Sequence, residues 1–122
     1  MLEVAYKDVY AEHIQGDNMR KLTQIALLKN NRDGYGASPL PSNTIYNAQR
    51  LIRSLHIQPE IFPTANGSIQ MEYENDNGDY LELQFTGRGL CEAFSCIGGN
   101  EEYFSLPDNA SSLNVLVEGF LD

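Results

Sequence analysis

The spacing of apolar residues predicts two helices in the first half of the chain. One is expected to begin with Asp17 as its N-cap, and the stretch before Glu12 fits either a strand or a helix. The other is expected to begin with Ser42 as its cap. In both segments apolar residues recur every three or four positions: Met19, Leu22, Ile25 and Ala26 in the first, and Ile45, Ala48, Ile52 and Leu55 in the second.

After His56 the pattern changes to strict alternation of apolar and polar residues, which is typical of half-buried strands. Pro59 and Pro63 bracket a short extended segment before these strands, and Asp108 is expected to cap a last helix after them. The predicted strands cover residues 69–74, 80–85, Leu90–Ile97 and Glu102–Leu106, and the last helix has Leu113, Leu116, Val117 and Phe120 on one face.

These elements predict one α+β domain over residues 1–122. Two N-terminal helices and a C-terminal helix are expected to pack on an antiparallel sheet of about four strands. At 42% hydrophobic and 20% charged residues, the composition is that of a folding domain and not of a disordered chain.

The turn between the first two of the alternating strands decides which residues face each other. A two-residue Asn77-Gly78 turn would place Tyr73 opposite Glu82. A three-residue loop from Asp76, with Gly78 in the left-handed conformation, instead pairs Tyr73 with Leu81 and keeps the apolar residues on one face. Because a slip of one residue reverses every side chain, we predict the longer loop. It also pairs Met71 with Leu83.

The predicted register places Glu72 directly opposite Glu82 on the outer face of the sheet, with Glu74 beside them. Opposed like charges destabilise a sheet by up to about 1 kcal/mol, and nothing in the predicted fold requires them there. Three interpretations are open: a solvated face that prevents aggregation, a surface that binds a basic partner, or a carboxylate pair that serves an enzyme or a metal. The candidate partner-binding residues are Glu72, Glu74, Asp76, Asp79 and Glu82.

Charge is divided unequally along the chain, whose net charge is −9. Residues 1–58 contain seven Lys and Arg against five Asp and Glu, and residues 59–122 contain one Arg against twelve acids. Such asymmetry indicates the kind of partner and not the fold. The cations are too dispersed for direct binding of nucleic acid, and we expect Arg50, Arg53 and His56 to border the acidic sheet.

Other features exclude classes of function. No apolar run is long enough for a membrane span, and the first eight residues lack the pattern of a secretory signal, so we expect a cytoplasmic protein. Cys91 and Cys96 are expected to be free core thiols in a reducing compartment. With His13 and His56 as the only histidines, we expect no catalytic site, cofactor or metal site.

The glycine loop Gly34-Tyr35-Gly36 joins two predicted helices, whereas phosphate-binding loops follow a strand, so we interpret it as structural. Three segments of the chain carry a resemblance to other proteins. They are Arg32-Asp33-Gly34-Tyr35-Gly36-Ala37-Ser38-Pro39 and, after a predicted helix, Pro59-Glu60-Ile61-Phe62-Pro63-Thr64 and Gly67-Ser68-Ile69-Gln70-Met71-Glu72-Tyr73. Together they resemble a loose group of small bacterial and mobile-element proteins. In that group tryptophans stand where this chain has Arg32 and Tyr73. The resemblance covers roughly residues 20–85 and implies an α+β fold, a prokaryotic or phage origin and no enzymatic activity.

The combined sequence features favour a small acidic, non-enzymatic interaction protein. We expect a phage or mobile-element inhibitor of a nucleic-acid-binding defence protein, of the anti-CRISPR kind, acting by DNA mimicry in the host cytoplasm. Its partner would be the basic surface of a nuclease or CRISPR effector. The alternatives are an antitoxin or immunity protein that neutralises a toxin, and a metal-dependent enzyme that uses Glu72 and Glu82.

Overall fold

The computed structural model describes residues 2–27, 40–85 and 89–122, and for residues 2–13 the backbone alone. Within these ranges the protein is α+β, with three helices and a five-stranded antiparallel meander in the order β1-β2-β3-β4-β5. The elements are α1 (Leu2–Ala26), α2 (Ser42–Ser54), β1 (Glu60–Pro63), β2 (Ile69–Glu74), β3 (Tyr80–Phe85), β4 (Leu90–Ile97), β5 (Asn100–Pro107) and α3 (Ala110–Leu121).

The predicted β2–β3 register is confirmed. Tyr73 lies opposite Leu81, and Met71 lies opposite Leu83. Gly78 has a φ of +80°, and its N–H donates to the carbonyl of Asn75 at 3.0 Å, which closes the three-residue loop. Burial of one apolar face therefore determined the register against the local preference of Asn-Gly for a two-residue turn.

One face of the sheet, here called the inner face, packs against the helices, and most of its side chains on β1 to β4 are buried. Its side chains alternate along every strand with those of the opposite face, and they form one core with residues of all three helices. The largest fully buried side chains are Leu22, Leu51, Ile52, Ile61, Ile69, Met71, Leu81, Leu83, Phe85, Leu113 and Val117. Tyr73 is 5% exposed and donates its hydroxyl to the Ile57 carbonyl at 2.7 Å.

The sheet has five strands and not about four, because the proline-bracketed segment pairs with β2. Ile61 lies opposite Met71 and is fully buried, so one residue of this four-residue strand joins the core. Pro63 ends the strand at the edge of the sheet, where a missing N–H removes no ladder hydrogen bond.

The predicted helix starts were wrong in detail. Asp17 lies inside the 25-residue helix α1, where it pairs with Arg20 one turn later, so it is not an N-cap. Ser42 is the first residue of α2, and its predecessor Pro41 occupies the cap position without a side-chain cap bond. Asn109 and not Asp108 caps α3, since its side chain accepts from the N–H of Ser112 at 2.8 Å.

The apolar stripe of α2 is confirmed, since Ile45, Ala48, Ile52 and Leu55 are all buried. The glycine loop Gly34-Tyr35-Gly36 and Arg32 lie outside the described residues.

The core makes a direct prediction about stability. Replacing the fully buried Leu83 by alanine removes its burial and leaves a cavity between the sheet and the helices. We expect Leu83→Ala to lower the free energy of unfolding by about 2–5 kcal/mol, measured by urea denaturation. The matched control is Leu90→Ala: this leucine is 52% exposed, so a change within about 0.5 kcal/mol is expected. Equal losses in the two variants would contradict the assignment of the inner face.

Candidate functional site

The face of the sheet opposite the helices, here called the outer face, carries acidic residues, and its described strands place no lysine or arginine on it. Strand pairing and side-chain alternation assign sixteen residues to it, and six of these are glutamate. They are Glu60, Phe62, Gln70, Glu72, Glu74, Tyr80, Glu82, Gln84, Leu90, Glu92, Phe94, Cys96, Glu101, Tyr103, Ser105 and Pro107.

Three of the glutamates form a row across neighbouring strands, here called the acidic row. Glu60 of β1 lies opposite Glu72 of β2, and Glu72 lies opposite Glu82 of β3. Adjacent strands are about 4.8 Å apart, so the backbone positions of the three glutamates follow one another at about that interval. The opposition of Glu72 and Glu82 was predicted, whereas Glu60 was missed. The sequence feature that could have revealed Glu60 is the proline-bracketed segment, because this segment forms β1, the third strand of the row.

The hydrogen bonds to the carboxylates of the acidic row come from neutral donors and not from cations. The Tyr80 hydroxyl lies 2.6 Å from Oε1 of Glu72 and 2.9 Å from Oε1 of Glu82, so its proton is shared between the two carboxylates. The amide of Gln70 also donates to Oε1 of Glu72 at 2.7 Å. Desolvation first, and then the two carboxylates, raise the pKa of Tyr80 well above its usual value, so the hydroxyl remains a donor at neutral pH. Glu72 and Glu82 are therefore hydrogen-bonded by neutral groups and not by a cation.

Described lysine, arginine and histidine side chains contact groups outside the acidic row. Lys21 lies over the ring of Phe62, with Nζ 4.7 Å from the ring centre, at the β1 edge. Arg50 donates to the Asp108 carbonyl at 3.4 Å, and Nδ1 of His56 lies 2.5 Å from Oε1 of Glu118 in α3. Arg50 and His56 therefore serve the helix layer and not the acidic sheet, which corrects the sequence-based expectation. Over the described ranges, no ion pair involves any of the six outer-face glutamates.

The outer face is not flat where β2 ends. A cleft of about 310 Å³ opens there, next to Glu60, the first residue of the short strand β1. Its lining residues include the acidic Glu60, Glu72 and Glu74 together with polar and apolar groups. The others are Ile57, Gln58, Tyr73, Tyr80 and Leu121. This combination suits a long cationic side chain, whose aliphatic stem packs on apolar groups while its charged end meets carboxylates.

A strip of aromatic rings crosses the other half of the outer face. The ring of Phe94 lies 6.2 Å from that of Tyr80 and 4.8 Å from that of Tyr103, measured between ring centres. Tyr103 is 78% exposed, and Glu82 lies directly opposite Phe94 in the register. Aromatic faces and carboxylates both attract guanidinium and ammonium groups. The strip was missed in the sequence, since its members lie on three strands whose pairing fixes their proximity.

The two acids of the β2–β3 turn differ from each other. Asp76 is exposed. Asp79 accepts from the N–H of Gly98 at 2.9 Å and from the side-chain amide of Asn75 at 3.0 Å, which ties this turn to the β4–β5 turn. These bonds, the Gly98 bond first, lower the pKa of the Asp79 carboxyl. Of the five predicted residues, Glu72, Glu74 and Glu82 share the outer face, Asp76 lies at its end, and Asp79 has a structural contact.

The cysteines are both free, and they occupy opposite faces of β4. Cys91 is fully buried, as expected for a core thiol, and burial raises its pKa to about 12. Cys96 is half-buried on the outer face, which corrects its predicted place in the core. In the described part of the chain, no group of three or more His, Cys, Asp or Glu is placed to hold a metal ion.

Comparisons with known protein families, with curated proteins and with solved structures find no match for this chain. Nothing in the comparisons tests the resemblance to mobile-element proteins, which stays a prediction. Among the described residues, no helix has both the length and the hydrophobicity needed to cross a membrane.

The Asp79 contact predicts a dependence of stability on pH. Its lowered pKa stabilises the folded state above 3.8, the ordinary value for this group, and that contribution is lost as the pH falls through the folded-state pKa. Asp79→Asn removes the titration. We therefore expect the variant to be less stable than the wild type at neutral pH, by a difference that shrinks below 3.8, measured by urea denaturation across pH. A difference that stays constant at acidic pH would contradict the assigned contact.

The shared hydroxyl of Tyr80 predicts a selective effect of its removal. Tyr80→Phe leaves Glu72 and Glu82 opposed without a common donor, so we expect the free energy of unfolding to fall by about 1 kcal/mol. Added salt should reduce the loss, since it screens the repulsion. Tyr103→Phe is the matched control: its hydroxyl has no hydrogen-bond partner in the described part of the structure. A change within about 0.5 kcal/mol is expected for the control.

Proposed function

We propose that this protein is a non-enzymatic interaction module whose outer face binds the basic surface of another protein. The observation that carries the proposal is the acidic row of Glu60, Glu72 and Glu82, uncompensated by any described cation. A solvated face needs no such alignment, because scattered charges would prevent aggregation equally well. Repulsion between the carboxylates of the row lowers the stability of the fold, and attraction to a partner bearing Lys and Arg would offset that loss.

The cleft and the aromatic strip support a partner rich in lysine and arginine. The cleft offers carboxylates beside the apolar groups of Ile57 and Leu121, and the strip offers the exposed ring of Tyr103 beside acidic neighbours. Electrostatic complementarity of this kind accelerates association and narrows the choice of partner. We therefore assign partner binding to Glu72, Glu74 and Glu82, as the sequence predicted, and add Glu60 to them.

The specific form that we propose is inhibition by DNA mimicry. Proteins that hold nucleic acid line their channels with Lys and Arg that contact regularly spaced phosphates. A row of carboxylates on adjacent strands presents a comparable series of negative charges on a rigid support. A phage or mobile-element inhibitor of a nuclease or CRISPR effector would use the surface in this way. Neutralisation of a basic toxin is the alternative that uses the same row.

A competition experiment tests the proposal. A fluorescent DNA duplex is bound to each of a panel of purified nucleases and RNA-guided effectors, and its displacement is followed by anisotropy. We expect the wild type to displace DNA from a member of the panel. The variant Glu60→Gln/Glu72→Gln/Glu82→Gln should lose at least about tenfold in apparent affinity, with stability unchanged or raised.

A charge-matched control separates the acidic row from net charge. Asp17→Asn/Glu118→Gln/Asp122→Asn also removes three negative charges, from the first and last helices and the C-terminal residue, and is expected to displace DNA almost as well as the wild type. Equal losses in the two variants would show that overall charge and not the row matters. Failure against every member of the panel would exclude DNA mimicry, and inhibition of a toxin would then be tested with the same variants.

A further inference from the structure

The two edges of the sheet differ in a way that the acidic row does not explain. The β1 edge is four residues long, is bracketed by Pro59 and Pro63, and has Lys21 over Phe62 beside it. The β5 edge is eight residues long and has its single proline, Pro107, at the end. Short strands and prolines are the usual protection of an edge against pairing with another chain. The β5 edge lacks both over most of its length.

The register shows which backbone groups of β5 are open. Gly98 and Gly99 form a two-residue turn with φ of +57° and +84°, so Ile97 and Asn100 are a hydrogen-bonded pair. Alternate pairs from there are bonded across the strands, and the N–H of Asp108 continues this pattern by donating to the Gly89 carbonyl at 3.2 Å. The N–H and C=O groups of Glu101, Tyr103 and Ser105 consequently point away from β4.

Each of those residues has no further backbone hydrogen bond in the described structure. Pro107 falls in the same outward series, where its missing N–H costs the β4–β5 ladder nothing. The open edge therefore runs from Glu101 to Ser105 and can pair with an extended chain.

Side chains on both faces of the sheet extend the site beyond the backbone. On the outer face, Glu101 and Tyr103 flank the edge. On the inner face, a groove of about 330 Å³ lies between β5 and α3, lined mainly by apolar residues. Ile97, Phe104, Val115, Leu116 and Phe120 are among them, and Val115 is 72% exposed. An added strand would place alternate side chains beside the acids and aromatic ring and beside this groove.

We propose that β5 binds, as a sixth strand, an extended segment of a partner protein in which basic residues alternate with apolar ones. Its charge follows from the outer side of the edge: Glu101 is exposed, and no described cation pairs with it. A second copy of this chain fits less well, since both copies carry a net charge of −9 and the same glutamates. The proposal deepens the proposed function, on which it rests for a basic protein partner, by naming the secondary structure that the partner contributes.

A synthetic peptide provides the test. The probe is an eight-residue peptide of alternating lysine and valine with blocked ends, matched in length to β5. Amide hydrogen exchange is followed by NMR on the full-length protein. Without peptide, the amides of Glu101, Tyr103 and Ser105 should exchange faster than those of Glu102, Phe104 and Leu106. With peptide, the three fast amides should become protected.

Methylation of the peptide backbone distinguishes strand pairing from charge attraction. Alternate residues of an added strand direct their N–H groups toward β5, so N-methylation of either the lysines or the valines, but not of both sets, should block pairing. We expect a loss of affinity of about tenfold or more for one methylated peptide and little change for the other. Equal binding of the two would overturn the proposal.

A pair of protein variants gives a second reading. Ser105→Pro removes one outward N–H and should weaken peptide binding by about fivefold, whereas Ser105→Ala retains that N–H and should bind as the wild type does. Sedimentation tests whether a second copy of this chain occupies the edge instead. A dimer whose β5 amides are protected in the absence of peptide would also overturn the proposal.

The outcomes for the two sites are separable. The acidic-row variant Glu60→Gln/Glu72→Gln/Glu82→Gln should still protect the β5 amides with peptide, although it loses DNA displacement. A peptide that leaves the β5 amides unprotected would refute strand addition while DNA displacement could still succeed. Protected amides without DNA displacement would refute the mimicry and not the strand addition.

Discussion

Burial of the inner sheet face is the constraint on which the rest of the structure depends. Ile69, Met71 and Leu83 are fully buried, and side chains of a strand alternate between its two faces, so every intervening residue must face outward. Positions 72 and 82 are therefore opposed on the outer face because their apolar neighbours need the core, although burial does not require glutamate at either position. The loss of one apolar face to solvent would cost far more than the repulsion between two half-exposed carboxylates.

The outer face relieves this repulsion without cancelling its charge. A lysine or arginine among the row would pair with the carboxylates and neutralise them, whereas the Tyr80 hydroxyl and the Gln70 amide only donate hydrogen bonds. The cations of α1 and α2 do not pair with the row: Lys21 lies over Phe62 at the β1 edge, Arg20 pairs with Asp17, and Arg50 contacts the residue before the α3 cap. The protein thus separates its charge between two layers, with the negative layer on a rigid sheet.

The edges of the sheet complete this division of roles. β1 brings Glu60 into the acidic row and closes its own edge with proline, so it extends the charged face without inviting another strand. β5 carries its glutamates on a long edge beside an apolar groove. Charge and backbone hydrogen-bonding capacity are both concentrated on the part of the molecule that the helices leave uncovered.

Local sequence determined the parts of this protein that depend on periodicity. Alternation in β2 and β3 fixed the hairpin register and the opposition of Glu72 and Glu82, and helical spacing fixed the buried stripe of α2 from Ile45 to Leu55. Helix caps escaped prediction, although Asp17, Ser42 and Asp108 each have the chemistry of a cap. The caps of α2 and α3 lie one residue away from the predicted ones, and Asp17 lies inside α1 because the helix begins far before it. Tertiary structure alone decided that Glu60 joins the acidic row, that Asp79 reaches Gly98, and that Tyr80, Phe94 and Tyr103 form one strip. Those contacts join residues that are distant in sequence, and the order and pairing of strands, which no local period encodes, bring them together.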